Sequence, residues 1–230
     1  VIAKKQKNNP LLEIIFNVGL PSLILMKFSS SEYLGVLAGL VIALAFPVGY
    51  AVYDYLQTKQ MNLISVFGFL SVLLTGGIAL FELNVTWLAI KEASIPALIA
   101  IFVLCSGLFG KPLIAKILLN DSLFKVELIY EKLHASKNTD LFKAKIVFAN
   151  KLLALTFIFS AVMNYALARW IVKSPAGTVS FNEELGRMTL LSYPIIAIPS
   201  MIMLFGLMFY LSKVINKLTG YKLTELLVQA

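Results

Sequence analysis

The sequence predicts an all-α fold: a polytopic transmembrane helix bundle of about six spans, with a basic amphipathic helical segment on the cytoplasmic side. Three observations predict it. Of 230 residues, 59% are hydrophobic and only 14% charged, and the mean hydropathy is +0.86. That is more apolar surface than one soluble core can bury, so the excess must face lipid. Charge-free stretches recur at Tyr33 to Tyr53, Gln60 to Phe81, Ala93 to Gly110, Leu152 to Ala168 and Met188 to Ser212. Each is close to the roughly 20 residues that cross a hydrocarbon core. The basic residues between them gather on one side, as expected when Lys and Arg are retained in short cytoplasmic loops.

The first span, 10–28, follows Lys4, Lys5 and Lys7 and is interrupted by Glu13, Asn17 and Pro21. A cleaved signal peptide is the other reading of this pattern, but Glu13 and Asn17 spoil the apolar centre it needs. The second span, 33–54, carries Gly35, Gly39 and Ala43 at every fourth position, a small-residue stripe that lets another backbone approach. The third, 60–82, holds Gly76 and Gly77, and the fourth, 86–109, holds Lys91, Glu92 and Pro96. Segment 111–146 spaces Leu113, Ile114, Ile117 and Leu118, then Leu123, Phe124, Leu128 and Ile129, along one helical face, with lysines elsewhere. This predicts helices lying on a membrane surface among anionic headgroups; a linker packed under the bundle is the alternative. The fifth span, 148–171, starts after Thr139 and Asp140, which can cap a helix.

Between Lys173 and Arg187 lies the one sizeable outer loop, where Asn182 before Glu183 and Glu184 reads as a helix start. Glu183 and Arg187 stand at i and i+4, so a structural role accounts for the cluster of Glu183, Glu184 and Arg187, with a ligand site as the lesser alternative. The sixth span, 187–212, contains Pro194 and Pro199. Leu20-Pro21-Ser22-Leu23 and Ile198-Pro199-Ser200-Met201 echo one another, too briefly to establish an inverted repeat. After Gly220 a short amphipathic helix is expected.

The chemistry-bearing residues are few. The one histidine, His134, falls in the basic segment and the one cysteine, Cys105, falls mid-span, so neither a histidine metal site nor a cysteine cluster is expected, and no cofactor is called for. No phosphate-cradling glycine loop, nucleophile elbow or paired carboxylates are present, which argues against an enzyme. The +8 charge reads as topology and attraction to lipid headgroups, without the aromatic interleaving that nucleic acid would call for. Intramembrane polar groups remain: Glu13, Asn17, Lys91, Glu92, Asn150 and Asn164. Glu13 and Asn17 share a face of span one, and Asn150 and Asn164, fourteen residues apart, share a face of span five. Lys91 and Glu92 lie about 100° apart on their helix, which predicts separate partners, with Lys91 able to snorkel outward. The six line one polar cavity or make scattered helix-helix hydrogen bonds.

From Gly35 onward the order of features is specific: the small-residue span, then Leu74-Thr75-Gly76-Gly77-Ile78-Ala79-Leu80-Phe81, a tight turn, Trp87 to Glu92, and Lys111-Pro112-Leu113-Ile114. This resembles the intracellular septation protein A family of small bacterial inner-membrane proteins. It resembles more fully a related family of uncharacterised bacterial membrane proteins, through Phe181-Asn182-Glu183-Glu184-Leu185-Gly186-Arg187 as well. Gly76, Gly77, Lys91, Lys111 and Pro112 match the septation-type pattern; Glu92 and the Glu183 to Arg187 cluster do not. The resemblance implies a multi-pass protein of the bacterial inner membrane, and no catalytic residues carry over from it. The leading expectation is a non-enzymatic role in envelope biogenesis or septation, through anionic lipids, envelope-machinery proteins or a second copy of the chain. Both termini are expected in the cytoplasm. The alternative is a small transporter or channel with a polar site among spans one, four and five.

Overall fold

In the computed structural model, residues 14–58, 73–120 and 124–227 are described. Among them regular structure is helical and no strand forms; the one extended pairing is an isolated bridge between Phe124 and Leu227. Four helices are long and apolar enough to cross a membrane: Gly35–Tyr53, Val85–Leu108, Thr139–Ile171 and Val179–Thr219. They take in four of the six expected spans, and the chain is a membrane-embedded helical protein. The expected first span is met by a shorter apolar helix, Ile15–Lys27. At 1.5 Å per residue it is about 20 Å long, against a hydrocarbon core of about 30 Å. The expected third span lies mostly outside the described residues, apart from a helix over 73–80.

In chain order the helices are α1 (Ile15–Lys27), α2 (Gly35–Thr58), α3 (73–80), α4 (Val85–Leu108), α5 (Leu113–Leu118), α6 (Val126–Ala135), α7 (Thr139–Ile171) and α8 (Val179–Thr219). The chain divides into two compact units, Val1–Ala93 with Met163–Ile195, and Ser94–Val162 with Ile196–Ala230.

In the first unit α1 packs on α2 and on the start of α8. Three polar and small residues fix this junction. Asn182 on α8 is fully buried and its Nδ2 donates to Ser29 Oγ (3.1 Å) and to the Val36 carbonyl (2.9 Å). Gly39 on α2 lies so close to Ser29 that a Cβ there would stand 2.7 Å from the Ser29 hydroxyl. Gly186, one turn beyond Asn182, meets the backbone of α1: its Cβ would stand 2.8 Å from the Ser22 carbonyl oxygen. The expected stripe is therefore half right. Gly39 and the buried Ala43 are packing positions, whereas Gly35 has φ +76° and nothing near it, and serves the turn that starts α2. On α3, Gly76 faces Leu44 and Gly77 faces nothing within 4 Å.

The start of α8 also differs from expectation. Thr178 is the cap, its hydroxyl accepting from the Phe181 N–H at 3.1 Å, so Asn182 falls inside the helix as an interhelical clamp. In the turn between α3 and α4, the Asn84 side chain accepts from the Thr86 N–H (2.8 Å) and caps α4.

The second unit has its own apolar core, in which Ile114, Leu118, Ile129 and Leu133 are buried with Phe142, Ile146, Leu211 and Ile215. Of the apolar face expected along segment 111–146, Ile114, Leu118, Ile129 and Leu133 turn onto protein, while Ile117 and most of the lysines are exposed. An amphipathic stripe reads identically against protein or lipid. The tail is also different: a 3-10 turn at Leu223–Leu226 replaces the expected amphipathic helix, and the Lys125 N–H donates to the Leu226 carbonyl at 2.8 Å. Gly220, at φ +81°, ends α8.

Candidate functional site

Within the first unit lies a cavity of about 240 Å³. Its polar wall is made by Asn17 of α1, Thr75 of α3, Glu92 of α4, Asn164 of α7, and Thr189 and Ser192 of α8. Pro21, Leu25, Leu44, Leu167, Leu185 and Met188 supply the apolar wall. Three of the six intramembrane candidates, Asn17, Glu92 and Asn164, thus converge on one space. Glu13 lies outside the described residues.

Lys91 backs this wall. Its ammonium donates to Thr75 Oγ1 at 2.8 Å and to Glu92 Oε1 at 2.6 Å, and the side chain is 9% exposed. Both expectations for this pair are overturned: the neighbours do neutralise each other, and Lys91 turns inward instead of snorkelling. The reason is reach. A flexible four-carbon stem closes the 100° between adjacent helical positions once Thr75 holds the ammonium in place. A lone carboxylate at this depth is costly, and pairing removes most of that cost.

Hydroxyl orientation sets the character of the α8 side. Thr189 Oγ1 donates its one proton to the Leu185 carbonyl (2.9 Å), and Ser192 Oγ donates to the Thr189 carbonyl (2.7 Å). Each hydroxyl therefore has only lone pairs left to offer elsewhere.

One widened turn holds a lining residue and another follows one in sequence. Ile15–Gly19, which contains Asn17, and Tyr193–Ala197, which follows Ser192 directly, are π-helical. Each is followed two residues later by a proline, Pro21 and Pro199, so the faint sequence echo has a shared local geometry. Proline has no N–H to return to the carbonyl four residues before it, Asn17 in the first case, and its ring crowds that carbonyl. A turn with one extra residue relieves the clash, and such turns collect at functional sites.

Asn150 does not join the cavity. It belongs to the second unit, where Nδ2 donates to the Val103 carbonyl (2.6 Å) and to Ser106 Oγ (3.4 Å), while Oδ1 accepts from the Ile114 N–H (3.2 Å). Ser106 Oγ also accepts from the Leu113 N–H at 3.0 Å. The Lys111-Pro112-Leu113-Ile114 stretch is thereby a capped helix start, its first two N–H groups after Pro112 satisfied by side chains from α4 and α7. Asn164 shares a face with Asn150 but lies fourteen residues, about 21 Å, along α7.

In the Glu183, Glu184 and Arg187 cluster, the hydrogen bonds to the preceding loop are made by Glu184. Glu184 accepts from the N–H groups of Lys173 and Ser174 (both 2.8 Å) and from Ser174 Oγ (2.9 Å), fastening the loop to α8. Glu183 and Arg187 are exposed, and among the described residues no ion pair joins them. Thr75, Thr189 and Ser192 were missed by sequence reasoning, because single hydroxyls in apolar helices carry no signal until their neighbours are known. No group of three metal-ligating side chains occurs among the described residues.

Fold and cavity together define a class, a membrane-embedded helical protein whose first unit holds a polar cavity. No family model, no curated protein and no solved structure matches the chain.

Proposed function

We propose that this chain binds a small polar solute in the cavity of its first unit and moves it across the membrane as a small transporter or channel does. One observation carries the reading: Asn17, Glu92 and Asn164, from three separate helices, line the same space, with the Lys91–Glu92 pair at its edge. A pair that served packing alone would be closed over by apolar side chains. Here the carboxylate borders a volume equal to about eight waters at ~30 Å³ each. Polar groups at membrane depth mark solute pathways by default.

The test is aqueous labelling of single cysteines at Glu92 and Asn164, with Cys105 replaced, in the membrane-inserted protein. Reaction with a membrane-impermeant thiol reagent, together with solute uptake into proteoliposomes that is lost in Glu92→Gln, is the expected result. If both positions stay silent while exposed loop positions label, the cavity is closed to water and the reading fails.

A second reading has support of a different kind. The second unit holds eleven lysines against five acidic residues, six of the eight net positive charges of the chain. With the septation-type resemblance, this supports a non-enzymatic envelope role in a bacterial inner membrane, termini in the cytoplasm, through anionic lipids or protein partners. Complementation of a deletion strain separates the readings. The envelope role expects Glu92→Gln to restore division and a variant neutralised at Lys116, Lys132 and Lys143 to fail; the solute reading expects the reverse.

A further inference from the structure

We infer that the solute is a small primary amine in its protonated form; this rests on the solute-binding reading above. Glu92 and the α8 side of the polar wall present acceptors. Lys91 Nζ gives two of its three protons to Thr75 and Glu92 and does not itself line the cavity. The Thr189 and Ser192 hydroxyls have given their protons to helix carbonyls, so each meets a ligand as an acceptor. Glu92 uses Oε1 on Lys91 and keeps Oε2, a charged acceptor that forms stronger hydrogen bonds than a neutral one. An ammonium group offers three N–H donors and matches Glu92 Oε2, Thr189 and Ser192, which face the cavity where the neutralising Lys91 does not; a carboxylate or phosphate would meet the Glu92 carboxylate and two hydroxyl lone pairs. The amide groups of Asn17 and Asn164 suit either sign and do not alter the preference.

Size and the apolar wall complete the assignment. About 240 Å³ is far more than a bare alkali ion fills, and Leu25, Leu44, Leu167 and Met188 in the lining suit a short alkyl group. Transfer of CH₂ groups to such a wall adds affinity that an inorganic cation cannot gain.

The experiment is equilibrium binding of radiolabelled n-propylammonium to the full-length protein in lipid nanodiscs at pH 7, where a primary amine is protonated as Lys is. Unlabelled propionate, n-propanol and K⁺ serve as competitors. Saturable binding that propionate and propanol do not displace, weakened about tenfold or more in Glu92→Gln and several-fold in Thr189→Val, is the expected result. Displacement by propionate or propanol overturns the cationic assignment, and displacement by K⁺ at equal concentration overturns the organic one. Both results come from the wild-type protein, so neither depends on a variant folding. Absence of amine binding by the wild-type protein, when the separate single-cysteine variants at 92 and 164 label, also overturns this inference, while leaving a water-filled solute site standing. Absence of labelling removes the solute reading itself.

Discussion

Replacing Gly186 by Ala puts one methyl group into the close contact between α1 and α8. The new Cβ would stand 2.8 Å from the Ser22 carbonyl oxygen, 2.9 Å from Met26 Cγ and 3.0 Å from Leu25 Cβ. Since the nearest atom is backbone, α1 as a whole must move away. Overpacking of this kind costs about 1–3 kcal/mol, and an immovable neighbour puts it near the top of that range. Alanine recovers up to about 1 kcal/mol of helix propensity, leaving a net loss of about 1–2 kcal/mol. At roughly 2–4 °C per kcal/mol for a chain of this size, the melting temperature falls by about 2–8 °C. Gly206→Ala is the matched control, because nothing lies within 4 Å of its Cβ position. There the propensity gain stands alone, and melting should rise by about 2–4 °C. Melting followed by the fluorescence of the two tryptophans, Trp87 and Trp170, in a fixed detergent reads both. Gly186→Ala melting at or above wild type, while Gly206→Ala behaves as stated, would refute the close approach of α1 and α8.

Asn150→Ala strands the Ile114 N–H, while the Val103 carbonyl keeps the Ser106 hydroxyl as a donor, a loss of about 1–3 kcal/mol for the one unsatisfied group, visible in the same melt. Lys91→Met leaves Glu92 charged and unpaired at membrane depth, so the single variant should be less stable than the double Lys91→Met/Glu92→Gln; equal stability would show the pair to be uncoupled. Glu184→Ala releases the N–H groups of Lys173 and Ser174, and limited proteolysis within 173–178 should speed up several-fold with little change in melting; unchanged cleavage would count against the tether.

Hydropathy made α2, α4, α7 and α8 legible, because a run of about 20 apolar residues has few other uses. Side-chain geometry was less so. Asn150 and Asn164 share a helical face in any reading, but a face says nothing of depth, and the 21 Å between them separates a backbone clamp from a cavity wall. The stripe along α5 and α6 states that one side is apolar without stating whether lipid or Leu211 and Ile215 cover it. Gly186 lies between Leu185 and Arg187 just after the expected helix start at Asn182, where a lone glycine gives its packing role no local signature. Asn182 and Gly186, four apart, mark one face only once the cap is placed at Thr178. The convergence of Asn17 and Glu92 could be suspected from the energetic penalty of leaving either against lipid, and the structure supplies the hydroxyls that complete the wall.

The widened turn at Ile15–Gly19 gives helix register a meaning that composition does not have. Exchanging Pro21 for alanine at constant length would let the helix close into regular geometry and lose nothing in hydrophobicity. The residue that the wide turn absorbs would then count towards the regular helix, and everything before it would rotate by up to about 100° and shift by about 1.5 Å relative to Ser22 and Leu25. The Asn17 amide would leave the wall it now helps to form. Two sequences of the same length, differing at one position, would both insert as the same short helix, and only one would keep an amide at the cavity beside Glu92.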